Sequence, residues 1–511
     1  MITKKQFSKN LGVNVINFAV NFASGLLVAP FLIHHLGISA FGIVGVSMSV
    51  VGFMTIVSTS LNQANNRFVS MNMVSGDKQT TISVITTTFI LYGISILVFL
   101  PILAFISINS GRIFNISPNT VPAASFLFLL MGLGQVLIML NAVIVSPLFA
   151  KNRLDIIQSI NILRNVLDIV FLFISVTYIS NSLISVGAAY FAAIVLAITA
   201  AIVYFRKFLP YYKFRFHDFN RNKARDIFKL SSWTAVSAVG MLMFLQTDVV
   251  LINVFLGAEE AGKYAVAGQW RLLLISVATI LSVVTAPIIL VKYSENRLNE
   301  LKDFLYKAVK YQGIYTAVPT ALLVVYADTI LSLWLGNDFM DLSILLRAMI
   351  FHLAFSQAIR PLYAVGTAFN KAKLPGIATL SLGLAHVVLS IALLKFTNFG
   401  LLGVIVSGTL FTVLLNIVFL PMYVARYLKV SPTELYINIA PALFTEVLLI
   451  FFGFTLRLLF KPTSWVALFF ASIIVAVLGL FCVYWILLDP KEKAEIKILL
   501  GKAKHIVPLW R

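Results

Sequence analysis

Apolar runs of about twenty residues recur along this chain from Asn10 almost to Asp489, separated by short polar breaks, and that recurrence restricts the fold more than any other feature. A bilayer core about 30 Å thick is crossed by a helix of roughly 20 apolar residues. Of the 511 residues, 60% are hydrophobic and 11% charged, far outside the proportions of a water-soluble domain. The runs therefore predict an all-α integral membrane protein with about fourteen transmembrane helices. They fall at 12–36, 41–61, 82–107, 121–145, 157–178, 184–205 and 230–256, then at 264–290, 311–335, 342–368, 376–396, 401–424, 438–458 and 465–488. An even number of spans puts both termini on one side.

Charge decides which side. The formal net charge of +20 would suit nucleic acid if the cations formed one patch, but they sit at span ends. With a cytoplasmic N-terminus, about 30 of the Lys and Arg residues fall in cytoplasmic segments and about 5 outside, as the positive-inside rule demands. Lys4, Lys5 and Lys9 open the chain, and Lys491 to Arg511 close it. Arg206, Lys207, Lys213, Arg215, Arg221, Lys223, Arg225 and Lys229 crowd one central loop that holds only Asp218 and Asp226 as acids. Contact with anionic lipid headgroups accounts for these clusters without nucleic acid. The first run follows Lys4 and Lys5 like a secretory signal, but Asn14, Asn17 and Asn21 interrupt it and no small-residue cleavage site follows, so it reads as a retained helix. Cys482 is the sole cysteine, which excludes an intrachain disulfide.

The chain repeats itself weakly. Leu36-Gly37 through Phe41-Gly42 shares its Leu-Gly-x4-Gly spacing with Leu256-Gly257 through Ala261-Gly262. Pro147-Leu148-Phe149-Ala150 has a looser echo in Pro361-Leu362-Tyr363-Ala364; Asn152 matches Asn370, Gly187 matches Gly403, and Arg206 matches Arg426. The expected organisation is an N-terminal six-helix lobe (1–206), a basic cytoplasmic linker (207–229), a C-terminal six-helix lobe (230–426), and a final helix pair with a basic cytoplasmic tail (427–511). An even number of spans per repeat relates the lobes by a pseudo-twofold axis along the membrane normal, the arrangement of transporters that rock around a site between two halves.

The polar breaks are too short to hold an extramembrane catalytic domain, and the sequence contains no Walker loop, no His-Glu-x-x-His and no cysteine-based metal pattern. His34-His35 is an adjacent pair, which on a helix does not face a common ligand. No cofactor and no enzymatic chemistry are expected; an energy source other than ATP hydrolysis by this chain is implied, and coupling to H+ or Na+ is one that the buried acids would allow.

Three segments carry a family resemblance: the Asn-studded first span entering Ala29-Pro30-Phe31-Leu32, the turn Leu36-Gly37-Ile38-Ser39-Ala40-Phe41-Gly42, and Leu61-Asn62-Gln63-Ala64-Asn65-Asn66-Arg67-Phe68. Together with the whole-chain organisation they resemble the O-antigen repeat-unit flippases (Wzx type) of the polysaccharide transporter family, within the multidrug/oligosaccharidyl-lipid/polysaccharide exporter superfamily. The resemblance implies two six-helix lobes plus a helix pair, residence in the bacterial inner membrane, and export of an undecaprenyl-pyrophosphate-linked sugar unit to the periplasmic leaflet. Implied partners are that lipid-linked oligosaccharide, membrane lipids, and the polysaccharide polymerase and chain-length machinery.

Charges buried in lipid are costly and mark function. Arg360, Arg164, Arg271 and Arg347 lie within spans and Arg67 at a cytoplasmic mouth; they are headgroup candidates, because a guanidinium grips phosphate oxygens with two hydrogen bonds. Arg164 and Asp168 are spaced to pair on one helix face, Asp248 and Arg271 lie at similar depth, and Arg347 is near enough to the exterior to snorkel. Asp168, Asp248 and Glu446 are the ion-coupling candidates. Asn10, Asn14, Asn17 and Asn21 recur on one face of the first helix, either lining a cavity that binds sugar hydroxyls or cementing helix packing. Gln63, Asn66, Gln246 and His352 complete the polar cavity candidates. Competing readings are a multidrug extruder, a peptidoglycan-precursor flippase, and a membrane glycosyl-transferring enzyme.

Overall fold

In the computed structural model, residues 4–369, 371 and 373–494 are described, without the side chains of 4, 5, 7, 8, 11, 230 and 233. The repeat residue Asn370 and the tail beyond 494 lie outside them. Every regular element among these residues is helical. The first eleven α-helices are α1 (Lys4–Leu36), α2 (Ile38–Phe53), α3 (Thr55–Ser75), α4 (Lys78–Ile108), α5 (Ser110–Ile113), α6 (Val121–Ile144), α7 (Ser146–Ala150), α8 (Leu154–Ile174), α9 (Leu183–Phe208), α10 (Arg221–Leu245) and α11 (Thr247–Leu256). They are followed by α12 (Ala258–Ser294), α13 (Leu298–Leu335), α14 (Leu342–Ile350), α15 (Leu353–Ala358), α16 (Arg360–Ala368), α17 (Lys373–Phe396), α18 (Gly400–Val413), α19 (Leu420–Leu428), α20 (Pro432–Leu459) and α21 (Trp465–Ile486).

Twelve helices are long and apolar enough to cross a bilayer, and two bent pairs bring the number to fourteen. The expected tenth span, 342–368, is α14 to α16, bent by 44° where Pro361 follows Ile359 and Arg360. The expected seventh, 230–256, is not one helix. Arg221–Lys229 and Thr234–Leu245 meet at 48°, and the chain breaks again at Gln246 before the ten-residue α11. The second span runs past its expected end at 61, because α3 carries the helix on to Ser75 through the polar Leu61–Phe68 stretch.

The chain forms two compact units. The first, Met1–Gln269 with Ala372–Phe411, packs α6 on α9, α8 on α9 and α1, and α10 on α17 and α3. Its core gathers Leu61, Ile85, Tyr92, Met139, Leu148, Ile160, Leu209 and Ile227. The two Leu-Gly-x4-Gly turns meet here. Gly37 (φ 84°) and Gly257 (φ 100°) both turn the chain in the left-handed region, where a side chain would be strained. A Cβ on Gly42 would strike the Ala258 carbonyl and come within 2.7 Å of the Gly262 nitrogen, while one on Gly262 would strike the Ile38 carbonyl. The second glycine of each motif thus lets its helix touch the backbone that opens the other, which is the physical reason for the shared spacing.

The second unit, Trp270–Lys371 with Thr412–Arg511, packs α13 on α20, α15 and α14, and α20 on α21. Leu301, Leu305, Ile359, Leu362, Val424 and Leu435 lie in its core. The proline echo has a local counterpart: Pro147 and Pro361 each occupy the first turn of a helix that restarts after a break, α7 after Val145 and α16 after Ile359. Proline is favoured there because the first-turn N–H has no intrahelical acceptor to lose.

Candidate functional site

In the first unit the asparagine face of α1 lies along α8. Asn10 Oδ1 accepts from the Asp155 backbone N–H at 3.0 Å and its Nδ2 donates to the Asn152 carbonyl at 3.2 Å. Asn17 Nδ2 donates to Gln158 Oε1 and Asn165 Nδ2 to Asn21 Oδ1, both at 2.9 Å. Asn14 and Asn21 also bond back to carbonyls one turn earlier, at Asn10 and Asn17. The partner stripe on α8, formed by Asp155, Gln158, Asn161 and Asn165, has helical spacing and was readable in the sequence, although only Arg164 and Asp168 of that helix stood out there as charges. The seam therefore cements two helices. It is also open on one side, since Asn14 and Asn21 remain exposed. At the end of the seam nearest Lys9 the buried Asp155 carboxylate is held by Arg153 through two 2.9 Å bonds and by Lys9 at 3.0 Å.

Beside this seam is a narrow cleft lined by Asn141, Asn161 and Arg164, with Ile138, Ile160 and Ile194 as apolar walls. Arg164 donates through Nε (3.3 Å) and Nη2 (3.0 Å) to the side-chain oxygen of Asn165; the expected bond to Asp168 is not made. Gln63 and Arg67 lie one turn apart on the exposed face of α3, and Asn66 is half-buried. Asn65 points the other way, fully buried, and accepts from Thr88 at 3.0 Å. Gln246 sits at the α10–α11 break, its side chain against Gly52. Asp248, fully buried, accepts from the Tyr264 hydroxyl and lies 2.8 Å from His386 Nε2. His386 was absent from the sequence reading, although it is the one ionisable residue in the apolar middle of α17.

In the second unit Arg347 has a structural assignment. The backbone of α13 leaves helical geometry at Tyr326 (φ −102°, ψ 18°), which frees carbonyls of the preceding turn. Arg347 Nε donates to Val324 O and Arg457 Nη1 to Val325 O, both at 2.9 Å, and Asp328 accepts from both guanidinium groups. Asp328 and Arg457 were missed in the sequence, where they stand 129 residues apart with nothing local to link them. Arg360 differs: it starts α16 at the bend and donates to Gln357 Oε1 at 2.6 Å. Among the described residues no carboxylate lies within ion-pair distance of it. Tyr363, one turn on, donates to Asn416 Oδ1 at 2.8 Å in the π-helical segment Leu414–Phe419. His352 is buried at the α14–α15 junction, and Arg271 follows Trp270, whose ring meets Trp334 edge-on at 5.3 Å. Glu446 on α20 is fully buried, and neither carboxyl oxygen has a hydrogen-bond partner. No cluster of three His, Cys, Asp or Glu side chains that could hold a metal occurs among the described residues.

Residues 7–291 match the model of the family described as "Polysaccharide biosynthesis protein". The chain is 32% identical over 429 residues to the "Uncharacterized membrane protein EpsK" of Bacillus subtilis (strain 168), covering 82% of this chain and 83% of that one. Among solved structures it resembles "Lipid II flippase MurJ, inward closed conformation" (TM-score 0.72, 16% identity, 94% of this chain and 99% of the other). It also resembles an inward-facing multidrug resistance MATE family transporter of the MOP superfamily (TM-score 0.69, 16% identity, 82% and 98%). At that identity the two likenesses establish the fold. The chain is thus a member of the polysaccharide biosynthesis protein family, a multi-pass membrane protein built on the fold of the MOP-superfamily transporters.

Proposed function

We propose that this protein is a flippase that moves a polyprenyl-pyrophosphate-linked oligosaccharide, the repeat unit of an O-antigen or capsule, from the cytoplasmic to the periplasmic leaflet by alternating access. One observation carries the reading: Arg164 and Arg360 are held within spans by side-chain amides, Asn165 and Gln357, not by carboxylates. A guanidinium positioned by a neutral amide keeps N–H groups for an arriving anion, which would stabilise a charge that is costly in a membrane; Asp168, one turn from Arg164, acts on it through space without a direct bond. Arg347 differs in being paired with a carboxylate, Asp328, which it shares with Arg457. Asn141 and Asn161 beside Arg164, with the open side of the Asn14–Asn21 face, supply amides of the kind that bind sugar hydroxyls. The pyrophosphate is assigned to Arg164, the sugars to the amides beside it, and the polyprenyl tail to the surrounding lipid; Arg360 is a separate phosphate-binding candidate in the second unit. No bond is made or broken. In this reading the protein lies in the inner membrane with both termini cytoplasmic, organised as the two repeat-related lobes, and hands its cargo to a polymerase and its chain-length partner.

The test is deletion of the gene in its host, with surface polysaccharide and extracted polyprenyl-linked oligosaccharides both assayed. Loss of the polymer with accumulation of single repeat units on the cytoplasmic side is the expected result. Unchanged polymer and lipid intermediates would overturn the reading, in favour of a drug extruder if drug sensitivity rises, or of a peptidoglycan-precursor flippase if depletion lyses the cells. In complementation, Arg164→Ala and Arg360→Ala should each lower polymer export about tenfold or more, since a charge-assisted hydrogen bond contributes about 1.5–3 kcal/mol. Arg360→Lys should retain part of it.

A further inference from the structure

Asp248 of α11 and His386 of α17 form an ion-pairing couple in the apolar interior of the first unit, and both are fully buried. Their polar surroundings are complete in a particular way. Asp248 Oδ2 accepts from the Tyr264 hydroxyl and Oδ1 lies 2.8 Å from His386 Nε2. On the far side of the ring, Nδ1 meets two hydroxyls, Ser407 Oγ at 2.9 Å and Ser390 Oγ at 3.3 Å. The Ser407 hydroxyl also donates to the His386 carbonyl at 3.0 Å, so its single hydrogen is committed and toward Nδ1 it can only accept. The Ser390 hydroxyl is placed to donate to Nδ1. The two serines therefore suit opposite protonation states of one nitrogen. With Nδ1 protonated, it donates to Ser407, one further proton lies between Nε2 and Oδ1, and the couple is neutral overall. With Nδ1 bare, it accepts from Ser390, Nε2–H donates to the carboxylate, and the couple carries one negative charge that Tyr264 also stabilises.

We propose that Asp248 and His386 are a one-proton binding site, with Ser407 stabilising the loaded state and Ser390 the unloaded one. Buried ionisable couples in spans are the usual parts of proton relays, and imidazole is the side chain whose ordinary proton affinity suits physiological pH. Phe244 covers one face of the ring, parallel to it at 5.5 Å. Among the described residues no other charged side chain is bonded to either member of the couple. The α2 helix has no ionisable residue, and those of α10 lie between Arg221 and Lys229, four or more turns away. Lys373 and Lys395 lie toward the ends of α17, about 13 Å or more from His386 at 1.5 Å per residue. On α12, Lys263 is paired with Glu259 and Glu260, Tyr264 faces Asp248, and Arg271 follows two turns further along, about 10 Å at 1.5 Å per residue; α18 contributes Ser407. The proposal names the ion for the flippase reading and rests on that reading only for what the proton drives.

The site can be tested without substrate. Full-length protein with nitrogen-15 histidine, in lipid nanodiscs, is titrated, and the His386 ring signal is assigned by its loss in His386→Gln. A single protonation midpoint is expected, rising in Ser390→Ala and falling in Ser407→Ala by about 0.5–1 pH unit, a three- to tenfold change in proton affinity. If Ser407→Ala does not fold, Asp248→Asn serves as the second variant and should lower the midpoint further. A ring signal that does not titrate, serine variants that shift it the same way, or a response to Na+ at fixed pH would each overturn the proposal. If the titration is as expected but deletion leaves polysaccharide and lipid intermediates unchanged, the flippase reading fails and the proton site stands. If export needs the gene but His386 does not titrate, the site alone fails.

Discussion

Whether an arginine in a span is held by an amide or by a carboxylate decides what it can do. Arg347 and Arg457 share Asp328 and cap the carbonyls that the α13 kink exposes. Replacing Asp328 with Ala leaves two half-buried cations facing each other, and breaking a buried pair costs about 3–5 kcal/mol. Asp328 is 17% exposed, so a loss near the lower end is expected, measured as thermal unfolding of the purified protein. An unchanged unfolding temperature would show that the clamp is not stabilising. Little of this was legible in the sequence. The asparagine stripe of α1 was visible because it repeats along one helix, but sequence spacing cannot say which helix will face it. Asp328 and Arg457 are 129 residues apart, and nothing local signals that they meet. His386 was passed over as a single polar residue among apolar ones, a pattern that a satisfied core histidine shares.

At the scale of elements, the helix-forming runs were readable because lipid allows few other backbones, and the span at 342–368 kept its expected ends. The breaks were harder to foresee. Gln246 interrupts the seventh span within an apolar stretch, and the α3 extension to Ser75 depends on how far a helix projects beyond the bilayer, which hydropathy does not report. The glycine motifs were legible as a spacing, but their meaning appeared only when Gly42 met Ala258 and Gly262 met Ile38. Gly42→Ala has no soft side chain to push aside, because its obstacles are backbone atoms. A cost of about 1–3 kcal/mol from overpacking is expected, again read as a fall in unfolding temperature. Gly268→Ala is the control, since nothing lies within 4 Å of its added carbon. Equal unfolding temperatures for the two variants would refute the close-contact role of Gly42.

For the whole molecule, the sidedness argument turns the +20 charge into a map that can be checked. If the N-terminus is cytoplasmic, the turns at Gly76, Asn152, Asn296 and Lys429 face the cytoplasm, and those at Asn109, Asn181, Asn337 and Asn398 face outward. The inward set adjoins Lys78, Lys151, Arg153, Arg297 and Arg426, whereas the outward turns adjoin Arg112 and Lys395. Cys482 is the single cysteine, so Cys482→Ser gives a background free of native thiols. Single cysteines introduced there as Asn181→Cys and Asn337→Cys should react in intact cells with a membrane-impermeant maleimide. Gly76→Cys and Asn296→Cys should react only after the membrane is opened. Inversion of the pattern would overturn the topology and the direction of transport built on it. A mixed pattern, with Gly76→Cys and Asn181→Cys as expected but Asn296→Cys and Asn337→Cys exchanged, would mean that the broken helix at Gln246 does not cross the bilayer, because removing one crossing reverses every turn that follows it.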